Sequence, residues 1–110
     1  EQVGGLALRF PETTFVMAHG GLLELWRSAM SFAVRCSNVY ITLCGQHHTA
    51  IREIVAKVDE DRILWGTDYG FGWSDPIGYR KGLVDIVEMS PEKRAKIMGG
   101  NAVKLFGIGA

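Results

Sequence analysis

A chain of 110 residues holds one domain at most, and a composition 47% apolar and 22% charged describes a globular chain, not a disordered one. Twelve acidic and twelve basic side chains cancel, so no strong field draws nucleic acid or an anionic membrane surface. No apolar run approaches the length that spans a bilayer, and the first residues lack the basic-then-apolar order of a signal peptide.

In chain order, residues 4–10 read as the tail of a helix whose apolar face carries Leu6, Leu8 and Phe10, stopped by Pro11. A first strand follows over about 13–18, apolar on consecutive positions, as in a strand covered on both faces. After Gly20 and Gly21 the period changes. Leu22, Leu23, Trp26, Ala29, Met30, Ala33 and Val34 recur at threes and fours, which predicts a helix.

Residues 38–44, NVYITLC, make a second strand, broken by Gly45. A second amphipathic helix then carries Ile51, Ile54, Val55 and Val58 on one stripe. The third strand, RILWG at 62–66, runs into Thr67 and Asp68. Asp75-Pro76 opens a helix to about Met89, and Ser90-Pro91 opens another to Met98. Gly99-Gly100 is expected to end that helix, leaving NAVKLFG as a short last turn.

His19, Cys44 and Asp68 close the three strands at intervals of 25 and 24 residues. Each interval has room for a turn, a helix and a strand, which is the arithmetic of right-handed βαβ units and predicts three parallel strands. Two outer edges are then left unpaired, and such edges weigh heavily on a small chain. The chain begins at Glu1 and not at methionine. We therefore expect residues 1–110 to be the C-terminal part of a larger α/β unit, with a free-standing three-layer domain as the alternative.

In parallel α/β folds the binding face lies where strands end and helices begin. That face receives His19, then Cys44 with Gln46, His47 and His48, then Thr67, Asp68 and Tyr69. His19 can ligate a metal or move a proton, and it can equally bond a neighbouring carbonyl. Asp68 follows an otherwise buried strand, where a carboxylate is costly unless a cation or several donors meet it; a metal meets that need, and so does an N-cap role.

His47 and His48 read as a solvated pair at a helix start, and Cys44 as a soft ligand, a nucleophile or simple packing. Trp26 and Trp65 look like core, while Phe71 and Trp73 are placed to wall a pocket. The two cysteines, Cys36 and Cys44, match no common zinc or redox spacing. A reducing, cytoplasmic setting is expected. A catalytic zinc usually takes three protein ligands, and the segment offers His19 and Asp68 with no equally good third.

The blocks PETTFVMAHGG, SNVYITLCG, DRILWGTDYGF and SPEKRAKIMGGNAVKLFG, in that order, resemble the C-terminal part of the amidohydrolase-related enzymes. These are metal-dependent (β/α)8 barrels that include aminocarboxymuconate-semialdehyde decarboxylase, related aromatic-acid decarboxylases and lactone hydrolases. The resemblance implies an α/β fold in which the chain forms about three βα units, strands six to eight of a TIM barrel, plus C-terminal helices. It implies that His19 is the histidine beside the metal on strand six, and that Asp68 is the metal-ligating aspartate ending strand eight. Gly70 stands where proline often follows the aromatic residue. The family's His-x-His pair on the first strand and its histidine on the fifth are not in these residues, so the chain alone is expected to bind metal poorly.

The resemblance further implies a divalent metal, zinc first, and a small-molecule substrate. The expected activity is hydrolysis of a small carboxylate, lactone or amide, with decarboxylation of an aromatic or unsaturated acid as the alternative. Nothing in the segment identifies an arginine clamp that would choose between them. A non-catalytic α/β module, pairing through its sheet edge with another subunit or the missing barrel half, is the third reading. Nucleotide binding is poor, since no GxGxxG or GxxxxGK pattern follows any strand.

Overall fold

Three runs rich in β-branched and aromatic residues take extended backbone as β1 (Phe15–Met17), β2 (Val39–Thr42) and β3 (Ile63–Leu64). The structure is a computed structural model that describes residues 2–70 and 76–109, with backbone alone at Leu22, Leu23 and Pro76. Around the strands lie α1 (Gln2–Arg9), α2 (Leu22–Arg35), α3 (His48–Lys57), α4 (Pro76–Asp85), α5 (Pro91–Ala95) and α6 (Asn101–Phe106). Phe71, Trp73 and Asp75, read above as pocket wall and helix cap, fall outside the described residues.

The sheet is wholly parallel in the order β1-β2-β3, pairing Met17 with Ile41 and Ile41 with Ile63. That register puts Phe15, Met17, Val39, Ile41 and Ile63 on one face, where they meet the apolar stripes of the helices. Trp26, Ala29, Met30 and Ala33 of α2 and Ile51, Ile54 and Val55 of α3 supply the buried half of that core. The expectation that the first strand is covered on both faces is corrected. Val16 points the other way and stays 41% exposed. Outside β1 and β3 no further strand pairs among the described residues. A parallel sheet with helices against one face and both edges open is the arrangement of a barrel segment that has not closed.

The helical stripe expected of α1 is also corrected: Leu6, Leu8 and Phe10 are exposed, and Gly4 and Ala7 are buried. Residues spaced by two cannot share a helical face, whereas a spacing of three can. Val34 likewise leaves the predicted stripe of α2 and is exposed.

The strands are shorter than their apolar runs because side chains take over the backbone groups at their ends. Asn38 is a clamp and not the first strand residue: its Nδ2 donates to the carbonyls of Ala7 (3.1 Å), Phe10 (3.1 Å) and Thr13 (2.9 Å). Arg62 does the same ahead of β3, its Nη1 donating to the carbonyls of Ala33, Cys36 (2.8 Å) and Val39 (2.8 Å).

At the C-terminal end, Ser90 caps α5 by accepting from the Lys93 amide at 3.1 Å, as its sequence predicts. Helix α4 stops at Asp85, short of Met89, because the Arg94 guanidinium takes the carbonyls of Val84 (3.1 Å) and Val87 (3.0 Å). Gly99-Gly100 does not end the helix. The chain makes a wide π-type turn over Lys96–Gly100 and continues as α6. Asn101, 6% exposed, holds that continuation against β3 by donating to the carbonyls of Glu60 (2.6 Å) and Ile63 (2.8 Å). Asn101→Leu keeps the side-chain branching and removes both bonds, so a loss of about 2 kcal/mol is expected in urea unfolding. No helix among the described residues is long and apolar enough to cross a membrane.

Candidate active site

Because β1 and β3 run parallel on either side of β2, the turns that follow all three open at the same edge of the sheet. The first holds Ala18, His19, Gly20 and Gly21 and leads directly into α2. His19 (φ 57°), Gly20 (φ 52°) and Gly21 (φ 84°) are successive left-handed residues. Glycine adopts that conformation freely, whereas a residue with a Cβ does so at a cost of about 1–2 kcal/mol.

His19 is held there by β2 and the turn after it. Its N–H donates to Thr42 Oγ1 at 2.8 Å, and its carbonyl accepts from Gln46 Nε2. The Thr42 hydroxyl passes its own proton toward the Met17 carbonyl at 3.4 Å. Gly45 (φ 80°) lies beside the ring, where a Cβ would fall 3.2 Å from His19 Nδ1. Among the described residues neither ring nitrogen of His19 has a hydrogen-bond partner.

Asp68, in the turn after β3, also has positive φ (57°). It is exposed, and among the described residues its carboxylate has no hydrogen bond or ion pair. His19 and Asp68 thus share an edge, an unfavourable backbone conformation and free polar atoms. Two strand spacings separate their attachment points by about 10 Å. Such a gap is bridged by a third body held between the side chains more readily than by a direct contact.

Cys44 lies in the turn after β2, between them, and is buried. Burial pushes its thiol above the ordinary value; the nearby Arg80 guanidinium pulls it back, and the Asp68 carboxylate adds to the rise. A thiol kept protonated is a poor nucleophile. The folded state holds this proton more tightly than the unfolded chain does, so its stabilising effect is complete below the unfolded thiol's pKa and fades as the pH climbs beyond it. Iodoacetamide at about pH 8 is expected to label Cys44 much more slowly in the folded protein than in urea. Equal rates would show that the thiol is not sequestered.

The remaining edge residues divide. His47 is exposed as expected, and it is also the N-cap of α3, its Nδ1 accepting from the Ala50 amide at 3.3 Å, with the ring edge-on to Trp26 at 5.9 Å. Histidine is an uncommon cap, which is why the sequence did not reveal it. His48 is half-buried, and its Nε2 is buried without a hydrogen-bond partner among the described residues. Trp26 is core as expected, and Trp65 is half-buried against that core, donating to the Arg80 carbonyl at 3.4 Å. Sequence reasoning missed Thr42 and Arg80, and it placed Gln46 on this face without giving it a role. Gln46 alone left a signal, a polar side chain directly after a strand-ending glycine.

No group of three or more His, Cys, Asp or Glu side chains among the described residues is gathered closely enough to hold a metal ion. One nitrogen donor and one oxygen donor are of the kinds a borderline cation accepts, and by themselves they fall short of a four-coordinate shell.

Such an edge, delivered by parallel strands through intervening helices, defines a segment of a βα-barrel. A family model for amidohydrolases matches residues 1–108, and the chain belongs to that family. Among solved structures it is similar to the crystal structure of a 5-carboxyvanillate decarboxylase from Sphingomonas paucimobilis, at 22% identity and a TM-score of 0.70 over 96% of this chain. The chain spans 37% of that enzyme's length. At this identity the likeness is one of fold. No match was found among the curated proteins.

Proposed function

We propose that this chain contributes three of the eight βα units of a metal-dependent hydrolase, with His19 and Asp68 at the carboxyl edge acting on a small carboxylate, lactone or amide. The reading rests on one observation above all. Two non-glycine residues at the same sheet edge are held in left-handed backbone while their imidazole and carboxylate have no partner among the described residues. Unfavourable backbone geometry collects at functional sites, and free polar groups aimed at one edge await a ligand.

Asp68, with His19 beside it, would supply part of the shell of a divalent cation, zinc first among candidates, with the other ligands coming from the rest of the barrel. When bound, that cation supplies Lewis acidity toward a carbonyl oxygen and acidifies water. Asp68 accepts the proton of the water that attacks the carbonyl carbon and returns it to the departing oxygen or nitrogen. His19 hydrogen-bonds the substrate oxygen on which negative charge gathers. Access to the site lies along the open edge, so the partners are a small molecule and the remainder of the barrel. A cytoplasmic setting belongs to the same proposal.

A second reading, decarboxylation of an aromatic or unsaturated acid, is favoured by the structural likeness to a decarboxylase. There the carbon–carbon bond to the carboxylate breaks, its electron pair stays on the carbon skeleton, and His19 delivers a proton to that carbon. Isotopes separate the two reactions in the complete, metal-loaded protein. Hydrolysis places one oxygen of labelled water in the product, whereas decarboxylation releases carbon dioxide and places one solvent deuteron on carbon. If neither label enters any ester, lactone, amide or aromatic acid tested, the catalytic reading is lost.

A further inference from the structure

We infer that Thr42 and Gln46 are positioning residues for His19, a two-sided clasp that aims its imidazole across the sheet edge toward Asp68. The inference rests on the catalytic reading of His19 and extends it to residues that touch neither substrate nor metal.

The geometry leaves little else to hold the ring. Hydrogen bonding along β1 ends at Met17, and the residues after His19 are glycines with left-handed backbone, which impose no direction of their own. Both backbone polar groups of His19 are instead tied to side chains on the far side of the β1–β2 seam. Its N–H goes to Thr42 Oγ1 at 2.8 Å and its carbonyl to Gln46 Nε2. The two anchors differ in kind but share rigidity. Thr42 is β-branched and is the last residue of β2, while Gln46 is 1% exposed, so neither side chain is free to sweep.

A buried amide side chain normally signals a structural need, and here what it meets is the carbonyl of the one residue at this turn that can do acid–base chemistry. Gly45 completes the seat, since a Cβ there would fall 3.2 Å from His19 Nδ1. The clasp therefore fixes the φ and ψ of His19 and, through them, the direction of its Cα–Cβ bond.

A displacement of about 1 Å at a reacting group costs about 10²-fold in rate. Thr42→Val and Gln46→Met, made in the complete metal-loaded protein, are each expected to lower kcat by about 10- to 100-fold with KM near its parent value. Thr42→Ser restores the hydroxyl and should restore kcat. Amide hydrogen exchange at His19 should accelerate in Thr42→Val while Ile41 keeps its protection.

The decisive arm is the His19→Ala background. There neither clasp substitution should lower residual kcat further, because the group being aimed is gone. A further fall in that background, or failure of Thr42→Ser to recover activity, marks a general structural role and overturns the inference. A large loss in His19→Ala with unchanged kcat in both clasp variants also overturns it, while leaving the catalytic reading intact. Unchanged turnover in His19→Ala removes the catalytic reading and the clasp together. Should Thr42→Val fail to fold, Gln46→Met carries the same comparison.

Discussion

Alanine at His19 is expected to lower kcat of the complete, metal-loaded protein by about 10²- to 10⁴-fold, the range for loss of a positioned acid–base group. The same substitution should change unfolding stability by no more than about 1 kcal/mol, because His19 is half-buried and its ring makes no hydrogen bond among the described residues. The separation of the two effects follows from the site. The ring nitrogens have no hydrogen bond among the described residues, and the Thr42 and Gln46 contacts engage backbone groups that alanine retains. Asp68→Ala should behave in the same way, with one addition. If Asp68 is a ligand, the variant also holds less divalent metal after dialysis, measurable by elemental analysis independently of turnover. Full activity in both variants would remove these residues from the mechanism.

Substitution of Arg62 by methionine is expected to cost about 2–3 kcal/mol of stability, measured as a lowered denaturant midpoint at unchanged m. One guanidinium nitrogen meets three carbonyls, on Ala33 near the end of α2, on Cys36 in the turn and on Val39 at the start of β2. The Ala33 carbonyl belongs to the last turn of a helix, where no intrahelical donor is available. The Val39 carbonyl lies where β3, only two residues long, no longer reaches it. The Arg62 side chain, 12% exposed, thus completes a ladder that the short strand cannot. Methionine fills the space and takes the donor from the Ala33 and Val39 carbonyls, which is the costly half of losing a hydrogen bond, whereas the Cys36 carbonyl keeps the Val39 N–H at 3.1 Å. Lysine should recover only part of the loss, because a point ammonium cannot reproduce the planar fork. The Asp59 carboxylate, 3.9 Å from Nε and half exposed, is a minor contributor.

Ile51, Ile54, Val55 and Val58 show how directly a helical period is read, since all are buried as their spacing predicts. Leu6, Leu8 and Phe10 show the opposite. Hydrophobicity without the right period misassigned the face of α1, and the helix buries Gly4 and Ala7 instead. For the site, the positions of His19 and Asp68 at strand ends were legible, because strand, turn and helix each have a distinct residue pattern. Their left-handed backbone was not legible, nor was the cap formed by His47. Both depend on what packs against the turn, and neither residue type signals the role strongly.

From sequence alone came the order of strands and helices, the parallel sense of the sheet and the convergence of His19, Cys44 and Asp68 on one edge. Those follow from local periodicity and from the number of residues that a crossover requires. Tertiary structure alone decided how the edge is held: Asn38, Arg62, Arg94 and Asn101 on terminal carbonyls, Thr42 and Gln46 on His19. Several of these bonds join residues far apart in the chain, 23 positions for Thr42 with His19 and 41 for Asn101 with Glu60. A hydrogen bond at such a distance leaves no periodic trace, since its partners are chosen by where the folded backbone has unpaired groups.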